Sequence, residues 1–101
     1  MNGIMNNTKW NEVRLAMYNL PYIIKWRTKD AENGYISNWD VEWYYHFMIG
    51  GYKTIEWLEI ELTQETKESI LNELKKIHVP AEVLESSVKV YGYKDGNVDY
   101  L

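Results

Sequence analysis

The segment from Trp39 to Ile49, WDVEWYYHFMI, carries the most regular pattern in the sequence. Apolar or aromatic side chains occupy every odd position, while Asp40, Glu42 and His46 lie at even positions. A helix would distribute the odd positions around its circumference, whereas successive side chains of a strand alternate between two faces. The pattern therefore predicts a long strand over residues 36–49.

Gly50-Gly51 directly follows this segment, and both residues can adopt the positive φ of a two-residue hairpin loop. A tight turn at this point predicts a second antiparallel strand over residues 52–62, with Trp43 opposite Leu58. Two apolar patterns then meet on one face of the hairpin, which supports this register. Both helices are expected to cover that face.

The part of the chain before the hairpin predicts a helix over residues 8–20 and a strand over residues 22–28. Apolar side chains recur at helical spacing in the first segment, and Pro21 ends it because proline disfavours helical geometry in the preceding residue. The period then changes to two, and an Asn33-Gly34 turn connects this strand to the hairpin.

After the hairpin, Thr63 is the expected N-cap of a second helix over residues 64–77, and a further strand follows near residues 88–93. The fold class is therefore α+β, with an antiparallel three-strand meander. Residues 1–101 fit a single domain, in which residues 1–7 are expected to be frayed.

The composition of the chain limits the classes of function that the sequence suggests. The chain has no cysteine, which excludes disulfides and thiolate chemistry, and it has no apolar run that could span a bilayer or act as a signal peptide. A cytoplasmic location is expected. The net charge of −4 argues against nucleic acid as a ligand. Five Trp and nine Tyr raise the expectation of a protein-binding surface.

Catalytic and metal-binding motifs are lacking in the sequence. His46 and His78 are the two histidines, and their spacing does not suit a zinc site. The available carboxylates are expected on a flat, exposed sheet rather than in a desolvated cleft that would shift their pKa values. We therefore predict no enzyme activity, no cofactor and no metal.

The hairpin register predicts a partner-binding surface on the sheet face opposite the core. It places Asp40 opposite Glu61 and Glu42 opposite Glu59, and like charges in such positions destabilise a sheet unless they are compensated. Acids beside exposed aromatics suit a basic protein partner, because charge steers the encounter and the aromatic rings anchor it. The predicted partner-binding residues are Asp40, Glu42, Tyr44, Trp57, Glu59 and Glu61.

An alternative explanation is a solvated sheet face on which Lys25 and Arg27 neutralise part of the acidic charge. Salt screens the repulsion between surface carboxylates in water, so such a face needs no partner. The aromatic content also fits a structural module that associates with copies of itself. A small enzyme or ligand-binding protein, with a pocket between the first helix and the sheet, is a further alternative.

Three stretches resemble a group of small uncharacterised bacterial single-domain proteins: Thr8-Lys9-Trp10-Asn11-Glu12, Asn38-Trp39-Asp40 and the strand from Ile55 to Ile60. In size, acidity and fold class the chain also resembles immunity proteins of bacterial toxin systems, including those of contact-dependent inhibition. This resemblance implies a cytoplasmic inhibitor that binds a toxin domain, often a basic nuclease, and blocks its active site. The acidic hairpin face would be the contact.

Overall fold

The computed structural model describes residues 3–101 and contains, within that range, two helices and a four-stranded antiparallel sheet. The predicted α+β class and the antiparallel sheet are confirmed. The elements are α1 (Asn7–Asn19), β1 (Trp26–Asp30), β2 (Ile55–Glu61), α2 (Lys67–Ile77), β3 (Ala81–Val83) and β4 (Ser87–Tyr91). Neither helix in residues 3–101 is long and apolar enough to cross a membrane.

Local signals in the sequence set the ends of both helices. The side chain of Asn6 accepts the backbone N–H of Lys9 at the start of α1, and the chain is extended at Leu20 before Pro21. Helix α2 begins three residues later than predicted, because the hydroxyls of Thr63 and Thr66 accept each other's backbone N–H groups in a preceding turn.

The strand order in the sheet is β1-β2-β4-β3, and each neighbouring pair is antiparallel. The last long strand, β4, therefore lies inside the sheet, between β2 and β3. Leu58 of β2 is paired with Thr28 of β1 on one side and with Val90 of β4 on the other. Up to the bulge between Lys29 and Asp30, this register places Trp26, Thr28, Leu58, Ile60, Val88 and Val90 on one face.

Both helices cover this even-numbered face, as predicted. Leu58, Ile60 and Leu62 of the β2 region are buried there, which confirms the inward side of that strand. The helices and the other strands complete one hydrophobic core. Its further members include Trp10, Val13, Met17, Trp26, Trp43, Phe47, Ile70, Leu74, Val88 and Val90.

The predicted strand over residues 36–49 is wrong. In this segment, only isolated bridges from Ile36 and Asp40 reach β1, and residues 46–50 form a turn. The N–H of Ile49 donates to the carbonyl of Tyr45, which is a helical hydrogen bond rather than a sheet one. The alternating pattern therefore belongs to an irregular segment that passes along the edge of β1.

Two carboxylates explain why this segment is not a strand. The side chain of Asp40 accepts the N–H groups of Val41 and Glu42, and the side chain of Glu42 accepts those of Tyr44, Tyr45 and His46. These side chains thus accept hydrogen bonds from backbone N–H groups that a β-ladder would need. Only Trp43 and Phe47 among the odd positions are buried, and they are four residues apart, as on one face of a helical turn.

The predicted hairpin register is therefore also wrong. Gly50 and Gly51 do adopt positive φ, but they join the turn to β2 instead of closing a long hairpin. The strand beside β2 is β1, which pairs Trp26 with Ile60. Trp39, which the hairpin register had placed in the core, is 41% exposed.

Both ends of the described chain contact the sheet region. Leu101 donates its N–H to Val79, and Asp99 accepts the N–H of Ala81, so the last residues lie along the edge of β3. Of the segment predicted to be frayed, Met1 and Asn2 lie outside the described residues, while Ile4 donates its N–H to Gly92.

Candidate protein-binding surface

The sheet face that the helices leave uncovered is called here the outer sheet face. It carries the odd-numbered residues of β1 and β4 and those of β2 from Trp57 onward, because alternate side chains of a strand point to opposite sides. The register gives a row of alternating charge across four strands, since Arg27 is paired with Glu59, and Lys89 lies between Glu59 and Glu82. The residues of the outer sheet face are Arg27, Lys29, Trp57, Glu59, Glu61, Glu82, Ser87, Lys89 and Tyr91.

Within this row, the carboxylate of Glu59 has an ion-pair partner and hydrogen-bond donors inside the fold. Its carboxylate accepts hydrogen bonds from Arg27 Nε at 2.8 Å and from Ser87 Oγ at 2.7 Å. Burial raises the pKa of Glu59, but these hydrogen bonds and the charges of Arg27 and Lys89 outweigh it, so its pKa is lowered overall. Glu59 therefore stays ionised, and its charge is largely balanced within the fold.

Trp57 lies on the outer sheet face, as predicted, but its neighbours differ from the expected ones. Lys29 and Tyr91 are its cross-strand partners, and the ammonium of Lys89 lies 4.3 Å from the centre of its ring. The side chain is consequently buried. Trp57 therefore packs within the outer sheet face and exposes little surface area that a partner could contact.

A cleft of about 380 Å³ lies at one end of the outer sheet face, and it is called here the Trp39 cleft. The indole of Trp39 forms a wall of the cleft and stacks on the guanidinium of Arg27, which is 4.6 Å from the ring centre. Ser86 and Thr63 lie on the lining as well. The full lining is Arg27, Trp39, Glu59, Glu61, Leu62, Thr63, Ser86 and Ser87.

Glu61 belongs to the predicted partner-binding set. Within the described part of the chain, its carboxylate has no partner. No hydrogen bond and no ion pair to its carboxylate occurs within residues 3–101. It is half-buried and lines the cleft together with the exposed indole of Trp39. A carboxylate beside an indole can bind a cation through charge and through the ring face.

Asp40 and Glu42 are not on the outer sheet face, so their predicted positions opposite Glu61 and Glu59 are wrong. The carboxylate of Asp40 lies 2.8 Å from Nδ1 of His46. Burial raises the pKa of Asp40, but the N–H of Glu42 and the contact with His46 outweigh it, so the pKa is lowered. The N–H of His46 is the main cause that lowers the pKa of Glu42. Both carboxylates thus bind backbone N–H groups of their own segment.

Tyr44 belongs to a second surface feature, called here the tyrosine patch: Tyr18, Tyr44 and Tyr45. The ring of Tyr44 lies 5.5 Å from that of Tyr18 and 5.0 Å from that of Tyr45, between ring centres. All three side chains are exposed. Arg14 of α1 lies beneath, with its guanidinium carbon 4.9 Å from the centre of the Tyr44 ring.

Sequence reasoning missed Trp39 and Tyr18 as members of the candidate surfaces, and it missed Arg14 as a buried cation beside Tyr44. Trp39 was assigned to the core by the alternation that proved not to be a strand. Arg14 and Tyr18 are four residues apart on α1, and this spacing could have indicated that they share one helix face. Their contact with Tyr44 depends on the path of a distant segment and has no local signal.

Acids and histidines do not gather into a metal site in the described range. No group of three or more potential ligand side chains lies close enough to hold an ion within residues 3–101. Another cavity, of about 240 Å³, is lined by His46, Trp26 and Phe47 among others. It is smaller than the Trp39 cleft. The Trp39 cleft thus combines a volume of about 380 Å³ with an acid that has no partner within residues 3–101.

A family model matches residues 1–97, which is nearly the whole chain. No curated protein matches the chain. No solved structure matches it either. The match names neither an activity nor a partner. Because the family model spans almost the entire sequence, the chain belongs to a family of unknown function (DUF6678).

Proposed function

We propose that this chain is a non-catalytic protein-binding module of the immunity type, which binds a basic protein domain through the Trp39 cleft and the adjoining outer sheet face. The observation that carries the proposal is the position of Glu61. Its carboxylate has no hydrogen-bond or ion-pair partner within residues 3–101, and it lines a cleft of about 380 Å³ beside an exposed tryptophan.

The chemistry of the cleft favours a lysine or arginine side chain of the partner. The carboxylate of Glu61 would pair with the cationic head, and the indole of Trp39 would stack on the guanidinium or on the alkyl stem. Arg27 does not repel such a cation strongly, because its charge is balanced by Glu59 at 2.8 Å. The ion pair between Arg27 and Glu59 also holds the base of the cleft rigid.

The overall charge of the molecule supports the same class of partner. A net charge of −4 accelerates encounters with a basic domain, and the acceleration falls as salt screens it. The resemblance to immunity proteins in size, acidity and fold class adds a toxin domain as the specific form of this partner. In that form, binding would cover the active site of a basic nuclease.

Charge reversal at the cleft tests the proposal. Tagged wild-type protein is used to capture partners from a lysate of the cells that encode it, alongside Glu61→Lys and Glu65→Lys. Glu65 is exposed and does not line the cleft, so it controls for net charge. We expect one basic protein to be retained by the wild type and by Glu65→Lys, and to lose at least about tenfold in affinity with Glu61→Lys.

Two outcomes would contradict this function. Equal retention of the same protein by Glu61→Lys would show that the cleft is not the contact. Capture of no protein, together with self-association in sedimentation, would instead indicate a module that assembles with copies of itself. Circular dichroism of each variant confirms that the fold survives the substitution.

A further inference from the structure

Arg14 is a buried cation for which the described chain provides no counter-charge. Its side chain is only 8% exposed, and no carboxylate lies within ion-pair distance of it in residues 3–101. One terminal nitrogen donates to the carbonyl of Tyr44 at 3.3 Å. The Nε atom is buried and has no hydrogen-bond partner among the residues that the structure describes.

Such an arrangement is unusual, because a buried charge is normally paired and a buried donor is normally satisfied. The guanidinium has five N–H donors in a planar fork that suits a carboxylate. In this fold it has instead one long hydrogen bond and the face of the Tyr44 ring. The site therefore has donor capacity and positive charge that residues 3–101 do not use.

The tyrosine patch covers this cation through the ring of Tyr44, and the patch is exposed to solvent. The side chains of Tyr18, Tyr44 and Tyr45 are 53%, 39% and 63% exposed, and their rings contact one another in series. Tyrosine and arginine dominate the energetic centres of protein interfaces. Tyr44 is the ring directly over Arg14, and a change of its rotamer on binding is of the kind that interfaces commonly show.

We propose that the tyrosine patch is a docking surface for a protein segment that carries an aspartate or glutamate, whose carboxylate reaches Arg14. Charge complementarity selects this occupant, since Arg14 is a cation without a counter-charge in the described chain, and the three rings supply the apolar contact. The surface is distinct from the Trp39 cleft, which favours a cation. Its occupancy does not depend on the basic partner proposed above.

An NMR titration with a designed peptide tests the inference. The probe is acetyl-Phe-Glu-Phe-amide, and the matched neutral probe is acetyl-Phe-Gln-Phe-amide. The readout is the Nε–H signal of Arg14, with the Nε–H signal of Arg27, already donated to Glu59, as the internal control. We expect the glutamate peptide to move the Arg14 signal, to leave the Arg27 signal in place, and to bind at least about tenfold more tightly than the glutamine peptide.

The variant Arg14→Met separates docking from a structural role. Methionine fills similar space without charge, so the variant should fold with an unchanged or higher melting temperature and should lose the preference for the glutamate peptide. An Arg14 signal that responds equally to both peptides would overturn the proposal. So would tighter binding of inorganic phosphate than of the glutamate peptide, which would indicate a small-anion site. If Arg14→Met does not fold, the wild-type titration still decides.

Discussion

At the scale of single residues, Gly92 marks a close approach between the end of β4 and the backbone of β2. A Cβ atom at this position would overlap the carbonyl oxygen of Ile55 and would lie 3.1 Å from Cζ2 of Trp10. The carbonyl belongs to the backbone of β2, so it cannot turn aside as a flexible side chain would. Gly92 also accepts the N–H of Ile4, which ties the chain before α1 to the end of β4.

The change Gly92→Ala should therefore lower the free energy of unfolding by about 3 kcal/mol, because the backbone of β2 must shift to accept the added methyl group. Urea unfolding followed by tryptophan fluorescence measures the effect. Gly3→Ala is the control, since its Cβ would make only an ordinary contact of 3.4 Å with the ring of Tyr93. Equal stability of the two variants would disprove the close approach.

At the scale of elements, the segment from Asp40 to Gly50 depends on two ionised side chains. Glu42 accepts three successive backbone N–H groups, from Tyr44, Tyr45 and His46, and Asp40 accepts two more while contacting the imidazole of His46. This segment positions Trp43 and Phe47 in the core and Tyr44 over Arg14. Its order and the shape of the tyrosine patch are therefore linked.

The lowered pKa values of Asp40 and Glu42 predict a local response to acid. A carboxyl group whose folded-state pKa is lowered stabilises the fold fully above its unfolded value of about 4, and the stabilisation is lost as the pH falls through the folded value. The protection factors of the amides of residues 44–46 against hydrogen exchange should fall in this pH range, and by more than those of the helix amides.

The variant Glu42→Gln should show the same faster exchange already at neutral pH, because a neutral amide accepts hydrogen bonds more weakly than a carboxylate. Glu32→Gln is the matched control, since Glu32 is an exposed acid in the turn after β1. Unchanged exchange in Glu42→Gln would show that the segment is held by its buried aromatics alone.

At the scale of the whole molecule, Lys9 joins the two helices. Its ammonium donates to the carbonyls of Ile77 and His78, both at 2.8 Å, and thus caps the C-terminus of α2 from the first helix. A cation is favourable there because the last carbonyls of a helix lack intrahelical partners. His78 itself ends α2 in a left-handed conformation with φ of 63°.

The change Lys9→Met should lower the free energy of unfolding by about 1 kcal/mol, since it removes two charge-assisted hydrogen bonds at a partly exposed site. Thermal unfolding should show a melting temperature lower by roughly 4 to 8 °C for a domain of this size. Lys53→Met, at an exposed position, is the control. A similar shift in both variants would argue against the link between the helices.

Local signals are enough to predict α1 and the two faces of β2. Pro21 and the spacing of apolar residues define α1, and the alternation in β2 assigns Leu58 and Ile60 to the core and Glu59 and Glu61 to the other face. These features depend on caps, on period and on the alternation of side chains. Each is fixed by residues a few positions apart.

Tertiary structure decided the path of residues 36–49 and hence the geometry of both surfaces. The alternation there is compatible with a strand, but the carboxylates of Asp40 and Glu42 take the backbone donors, and burial selects only Trp43 and Phe47. Contacts between residues that are distant in the sequence decide which strand lies beside β2. The closure of the loops that allow these contacts has no local signal in the sequence. The Trp39 cleft and the cover of Tyr44 over Arg14 follow from those contacts alone.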